Sequence, residues 1–145
     1  MGRHDVRCRS RLDHLIVDES RHRVVIYDLK TTGCAAMQQV ERSCVTWGYD
    51  LQHAAYTRAV EASLPHLVGR VEMLFLFAEL APPYQVRLAP LAASMQTLGR
   101  HRWERALRIW RECLISNKWP GYDARPVEAP QYALAEMERQ QFEET

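Results

Sequence analysis

The sequence predicts an α/β fold in which a mixed central β-sheet is flanked by helices. Two strand-like segments lie near the start, at 11–17 and 24–31, and a near-continuous apolar run follows at 71–79. Such a run is typical of a central strand covered on both faces. Two amphipathic segments of helical length, residues 49–64 and 90–116, supply the flanking helices.

Composition narrows the class of protein. The 145 residues suit one domain, which we assign to residues 1–122, followed by a polar C-terminal tail over 123–145. The formal net charge of +1 neither indicates nor excludes nucleic acid. Four widely spaced cysteines without a CxxC pair predict free thiols. No apolar run reaches the roughly 18 residues of a membrane span, so we expect a cytoplasmic protein without a membrane partner.

The second predicted strand, residues 24–31, ends in charged residues. Asp28 and Lys30 are two positions apart, so their side chains share one face while Leu29 points to the other. Burying an uncompensated charge is costly, and such a pair therefore needs a partner, a metal ion or a water-filled site. A plain structural ion pair is the alternative to a candidate active site.

The first predicted strand, residues 11–17, pairs with the second as a hairpin. If the turn is centred between residues 20 and 21, partners have numbers that sum to 41, which places Asp13 opposite Asp28. Two facing carboxylates repel each other, and a bound divalent cation removes that repulsion. Carboxylate ligands suit Mg²⁺ or Mn²⁺. A register slip of one residue would send the two side chains to opposite faces.

The remaining elements follow in order. A polar segment connects the hairpin to the helix at 49–64, on which Gln52 and Tyr56 stand one turn apart. After the apolar strand, two prolines predict a turn and residues 84–88 a further strand.

The long helix at 90–116 has a basic side. One interpretation is a solvated face with ion pairs to Glu104 and Glu112, and the alternative is contact with a DNA backbone. The basic residues are Arg100, His101, Arg102, Arg105, Arg108 and Arg111.

Taken in order, three motifs resemble the PD-(D/E)xK nuclease superfamily. They are Asp13, the run 28–30 (DLK) and the run 52–56 (QHAAY). DLKTT and YDLQHAAY are also similar to RecB-type and phage exonucleases, including the C-terminal nuclease of RecE and lambda exonuclease. The resemblance covers residues 9–122 and implies a restriction-endonuclease-like core.

The resemblance also implies a function. The implied function is that of a metal-dependent DNA nuclease, acting as a 5′–3′ exonuclease on linear double-stranded DNA in phage-type recombination. Its partners would be double-stranded DNA ends, a single-strand annealing protein and further copies of the chain. The alternatives are a catalytically inactive remnant that binds DNA or a recombination partner, and a site-specific endonuclease.

The implied metal site is built on the hairpin. Asp13 and Asp28 would bind Mg²⁺ (or Mn²⁺) through their carboxylates, and the backbone carbonyl of Leu29 would add a ligand. Lys30 would orient the attacking water or help to deprotonate it. The ion would lower the pKa of its bound water and polarise the phosphoryl oxygen.

Further residues are implied around this centre. Gln52 and Tyr56 would complete the catalytic set by holding Lys30 or the substrate backbone through hydrogen bonds. Arg9, Arg11 and Thr31 would contact DNA.

One element of the family pattern is missing from the sequence. Members usually carry an acidic ligand on a helix before the first strand, and we expect this core to lack that helix. Glu19 in the turn and Glu41 in the connecting segment are not obvious substitutes. Asp5, in GRHD, is the alternative first aspartate, and Asp13 is preferred because it mirrors Asp28.

Overall fold

A computed structural model of the chain describes residues 6–122 and 124–143. These residues form a four-stranded sheet and four α-helices. The strands are β1 (His14–Asp18), β2 (Arg23–Thr32), β3 (Val71–Glu79) and β4 (Val86–Pro90). The helices are α1 (Met37–Thr46), α2 (Tyr49–Ser63), α3 (Ala93–Ser116) and α4 (Gln131–Glu143), with a 3₁₀ turn at Pro65–Leu67.

The sheet is mixed and has the strand order β1-β2-β3-β4. β2 and β3 are parallel, whereas β1 and β4 are antiparallel to their neighbours. His14 pairs with Tyr27 and Asp18 with Arg23, so partner numbers sum to 41 as predicted. One position beyond β1, this register puts Asp13 opposite Asp28. The predicted α/β class, a restriction-endonuclease-like core, is confirmed.

The core lies on one face of the sheet. It combines the inward residues of β2 and β3 with apolar side chains from the helices, among them Val24, Ile26, Met73, Phe75, Phe77, Val40, Cys44 and Val60. On the other face Leu74 is buried, but Leu29 is 54% exposed and Leu88 is also exposed. The described residues therefore cover this second face only in part, unlike the prediction for a central strand.

Helix α1 is absent from the sequence-based prediction, which treated residues 33–48 as a polar connection. Val40 and Cys44, four positions apart, are its buried residues. Two apolar residues at this spacing lie on one helical face, and the polar residues around them obscured that signal.

Two strand boundaries also differ from the prediction. β1 begins at His14 rather than residue 11, because the carboxylate of Asp13 accepts the backbone N–H of Leu29 and takes the place of a ladder bond. β4 extends to Pro90, which an edge strand tolerates since it has a side without a partner. As a result α3 begins at Ala93 instead of residue 90.

Helices α2 and α3 pack closely against each other. Gly99 of α3 is buried, and a Cβ atom there would collide with the backbone carbonyl of Asp50. Arg102, one turn further along, binds the Asp50 carboxylate. The tail contains the exposed helix α4. No described helix has the length and apolar character needed to cross a lipid bilayer.

Candidate active site

The carboxylate of Asp28 is the centre of the candidate site. Asp28 is only 2% exposed. Its Oδ2 accepts a hydrogen bond of 2.7 Å from Nε2 of Gln52 on α2. The ammonium of Lys30, whose side chain is 16% exposed, forms an ion pair with Oδ1. Strand β2 and helix α2 thus bring three of the predicted site residues together.

Asp28 Oδ1 is a buried acceptor without a hydrogen bond. The Lys30 ammonium is close to it, but in the described structure their contact does not have hydrogen-bond geometry. The charge of this oxygen is therefore paired with Lys30. A carboxylate oxygen can accept more than one contact, so Oδ1 could also bind a ligand.

Asp13 is held beside this centre by the backbone of β2. Its Oδ2 accepts the N–H of Leu29 at 3.0 Å, and its other oxygen makes no hydrogen bond within the described part of the chain. The side chain is exposed, so the second oxygen can meet solvent or a ligand. The hairpin therefore presents two carboxylates at one strand end, as the register predicted.

Tyr49, Phe75 and Phe77 form an aromatic cluster, and the rings of Tyr49 and Phe75 lie next to the Lys30 ammonium. Tyr49 stacks on Phe75 with centroids 5.6 Å apart and contacts Phe77 at 6.0 Å. The Lys30 Nζ atom lies 4.5 Å from the centroid of the Tyr49 ring, within the range of a cation–π interaction. Sequence reasoning missed this role for Tyr49, which only the packing of α2 on the sheet reveals.

Gln52 and Tyr56 differ from their expected contacts. Gln52 binds Asp28 rather than Lys30. Tyr56 is half-buried and packs against the core, and its hydroxyl makes no hydrogen bond to any described residue. Helical spacing correctly placed both residues on α2, but it could not decide which of them reaches the charged pair.

The predicted DNA-contacting residues are divided between two places. Arg9 and Arg11 are exposed in the irregular segment before Asp13. Thr31 is exposed, but strand alternation puts it on the sheet face opposite Lys30. Only the two arginines lie in the segment that leads into Asp13.

None of the other acidic candidates joins the centre. Glu19 contacts the Nε2 atom of His66 at 3.2 Å, and Glu41 is exposed on α1. Asp5 lies outside the described residues. No helix precedes β1 within the described range, which begins at residue 6.

The basic side of α3 does not form the expected ion pairs. Arg102 binds both oxygens of Asp50, at 2.9 and 3.0 Å. The other basic residues of this side are exposed to solvent, as that interpretation expected, but among the described residues the other α3 arginines form no ion pair with Glu104 or Glu112, so that part of it is wrong. Contact with a DNA backbone stays a prediction for the exposed members, Arg100, Arg105, Arg108 and Arg111.

The chemistry of the donor set decides which metal would fit. The described residues contain no group of three or more His, Cys, Asp or Glu side chains suited to holding a metal ion. Asp13, Asp28 and the Leu29 carbonyl offer oxygen atoms only. Mg²⁺ is usually bound by one or two carboxylates and completes its coordination with water and substrate phosphate. The residues present fit that mode of binding.

Comparison with known families agrees with the motifs. Residues 2–129 match the family described as a PDDEXK-like domain of unknown function (DUF3799). No curated protein matches the chain. The match spans most of the chain and supports a nuclease-like domain, whereas the narrower likeness to RecE-type exonucleases stays a prediction. The chain therefore belongs to this PDDEXK-like family, and so to the PD-(D/E)xK nuclease superfamily that its strand-end motif indicated.

Proposed function

We propose that this domain is a metal-dependent DNA nuclease, acting as a 5′–3′ exonuclease on linear double-stranded DNA. The observation that carries the proposal is Asp28 Oδ1, a buried carboxylate oxygen without a hydrogen bond. It lies beside the Lys30 ammonium. Such an arrangement suits phosphodiester hydrolysis, because a carboxylate can hold a cation while an ammonium counters phosphate charge.

The metal would be Mg²⁺ or Mn²⁺, held by Asp13, Asp28 and the carbonyl of Leu29. When bound, the ion supplies a water of lowered pKa and polarises a phosphoryl oxygen.

The side chains of the site have separable tasks. Lys30 orients the attacking water and counters the charge that develops on the phosphate. Gln52 fixes Asp28 through its hydrogen bond to Oδ2. Oδ1 then faces Lys30 and the proposed metal ion. Asp13 holds the strand end through the Leu29 N–H. Tyr56 supports α2 beneath the site through its core packing.

Arg9, Arg11 and Thr31 are the proposed DNA contacts. The two exposed arginines precede Asp13 and would bind phosphates there. Thr31 would contact the duplex from the other face of the strand end. The DNA ends, the single-strand annealing partner and assembly with further copies rest on the resemblance. A cytoplasmic location rests on the lack of an apolar run of membrane-spanning length in the sequence.

A cleavage assay tests the proposal. End-labelled linear duplex DNA is incubated with the protein and Mg²⁺ or Mn²⁺, alongside Asp28→Ala and Lys30→Ala. We expect degradation by the wild type and its loss in both variants. Lys118→Ala and Glu138→Ala, which remove exposed charges outside the site, are matched controls and keep the activity. Undiminished cleavage by both Asp28→Ala and Lys30→Ala would contradict the assignment.

A DNA-binding remnant without cleavage is the second candidate. The observation that favours it is the lack of a third metal-binding side chain near Asp13 and Asp28 in the described part of the chain. Calorimetric titration with Mn²⁺ separates the two candidates, because the remnant would show no binding. Cutting of closed circular DNA would instead indicate an endonuclease.

A further inference from the structure

The Lys30 ammonium lies between a carboxylate and an aromatic ring. On one side it contacts Asp28 Oδ1. On the other it lies 4.5 Å from the centroid of Tyr49 and 5.7 Å from that of Phe75. These contacts come from three different elements, β2, α2 and β3.

A lysine at this position needs more than an ion pair to keep its ammonium in place. Its flexible four-carbon side chain carries about 2 kcal/mol of rotamer entropy. With only Asp28 as a partner, the ammonium could rotate about that carboxylate or reach for solvent, to which the side chain is 16% exposed. A second contact from another direction restricts both movements.

An aromatic face is well suited to this second contact. It attracts the cation through the ring quadrupole, so it engages the charge without needing a directed N–H bond. An ammonium has three N–H donors and no acceptor. With Tyr49 as the second partner, donors stay available for a water molecule or a phosphate oxygen.

The Tyr49 ring is itself held rigidly. Gly48 adopts φ +69°, a left-handed conformation that glycine favours, and α2 begins at the next residue. The ring stacks on Phe75, with an interplanar angle of 29°. In the parallel register Phe75 lies opposite Asp28 and Phe77 opposite Lys30. The sheet that carries the charged pair therefore also carries the support for the ring.

From these contacts we propose that Tyr49 is a positioning residue for Lys30, acting through the face of its ring. The proposal rests on the nuclease function proposed above. It assigns to Tyr49 the role of holding Lys30 that the resemblance implied for Gln52 and Tyr56, with the substrate backbone as the alternative. The hydroxyl group is not needed for this role, since the contact uses the ring.

Nuclear magnetic resonance tests the contact without DNA or metal. In the wild type and in Tyr49→Phe, the ε-methylene protons of Lys30 should be shifted upfield by the ring current. In Tyr49→Leu they should move towards the values of a solvent-exposed lysine. Tyr132→Leu, which removes an exposed tyrosine on α4 outside the site, is the control for the shift and should leave it unchanged.

A nuclear Overhauser effect keeps the test valid if Tyr49→Leu does not fold. In the wild type, the Tyr49 ring protons should show this effect to the Lys30 ε-protons. Its absence, or an unchanged Lys30 shift in a folded Tyr49→Leu variant, would overturn the proposal.

Kinetics then test whether the contact serves the reaction. Tyr49→Leu should lower kcat by about 10- to 100-fold, as expected when a catalytic group is displaced by around 1 Å. KM should change little, because Lys30 acts on the reacting phosphate rather than on substrate binding. Tyr49→Phe should restore kcat. A normal kcat in Tyr49→Leu, or a loss that Tyr49→Phe does not restore, would refute the positioning role.

The two kinds of failure can be told apart. If the wild type shows the Lys30 ring shift but does not cleave DNA, the nuclease function fails and the catalytic role of Tyr49 falls with it, although the ring contact stands. If the wild type cleaves DNA and the ring shift is missing, only the inference about Tyr49 is wrong.

Discussion

Two buried aspartates, Asp28 and Asp50, differ in how fully their carboxylates are satisfied. Asp50 is 0% exposed, and Arg102 binds both of its oxygens. Asp28 is 2% exposed, yet its Oδ1 has no hydrogen bond in the described structure. Burial is therefore nearly equal, and only the partners separate the two residues.

Helix α2 brings both environments together. Asp50 and Gln52 are two positions apart, so they point to different sides of the helix. Asp50 is directed to α3, where Arg102 joins it, and Gln52 is directed to the sheet, where it meets Asp28. The Asp50 carboxylate thus links two helices, whereas the Asp28 carboxylate, hydrogen-bonded only through Oδ2 and paired with Lys30 through Oδ1, belongs to the proposed active site.

The largest effect on stability is expected at the close approach of α2 and α3. In Gly99→Ala the new Cβ would collide with the carbonyl of Asp50, which is backbone and cannot swing aside. We expect the free energy of unfolding to fall by about 3 kcal/mol, at the upper end for overpacking. Gly33→Ala, with no atom within 4 Å of the added Cβ, is the control. Urea denaturation measures both, and equal stabilities would show that the Asp50 side is not tightly packed.

Exchanging each aspartate for asparagine compares the two carboxylates directly. Asp50→Asn leaves Arg102 without its charge partner and should cost about 3 kcal/mol, a low value for a buried pair since Arg102 is 37% exposed. Asp28→Asn should cost less, about 1 kcal/mol, because Lys30 keeps its cation–π contact with Tyr49 and the asparagine oxygen can still face the ammonium. The unfolding midpoint and the rate of DNA cleavage are measured for both variants. A larger loss of stability in Asp28→Asn, or a larger loss of cleavage in Asp50→Asn, would contradict the structural role of Asp50 and the active-site role of Asp28.

The sequence predicted the parts of this comparison that depend on neighbouring residues. The hairpin register followed from a short turn and is confirmed throughout β1, and its extension by one position puts Asp13 opposite Asp28. Helical spacing put Gln52 on α2. The Asp50–Arg102 pair was missed because its members are 52 residues apart and meet only when α3 packs on α2. The Tyr49–Lys30 contact likewise depends on how α2 packs on the sheet, which no periodicity encodes.

The smallest effect concerns His53, three residues after Asp50 on α2. Burial, and next the positive charge of Arg100, lower the pKa of His53 below its usual 6.5. The unfolded chain therefore binds a proton at a higher pH than the folded chain does. Above pH 6.5 His53 does not reduce the free energy of unfolding. As the pH falls from 6.5 towards the pKa of His53 in the folded chain, the free energy of unfolding declines.

His53→Gln should flatten this pH dependence in urea denaturation at pH 7.5, 6.5 and 5.5. His101→Gln, which changes an exposed histidine on α3, should retain it. The chemical shifts of Lys30 should not follow the titration of His53. Asp50 and His53 lie on the side of α2 that faces α3, whereas Lys30 belongs to the site on the sheet. A Lys30 shift that moves with His53 would mean that the two sides of α2 are coupled.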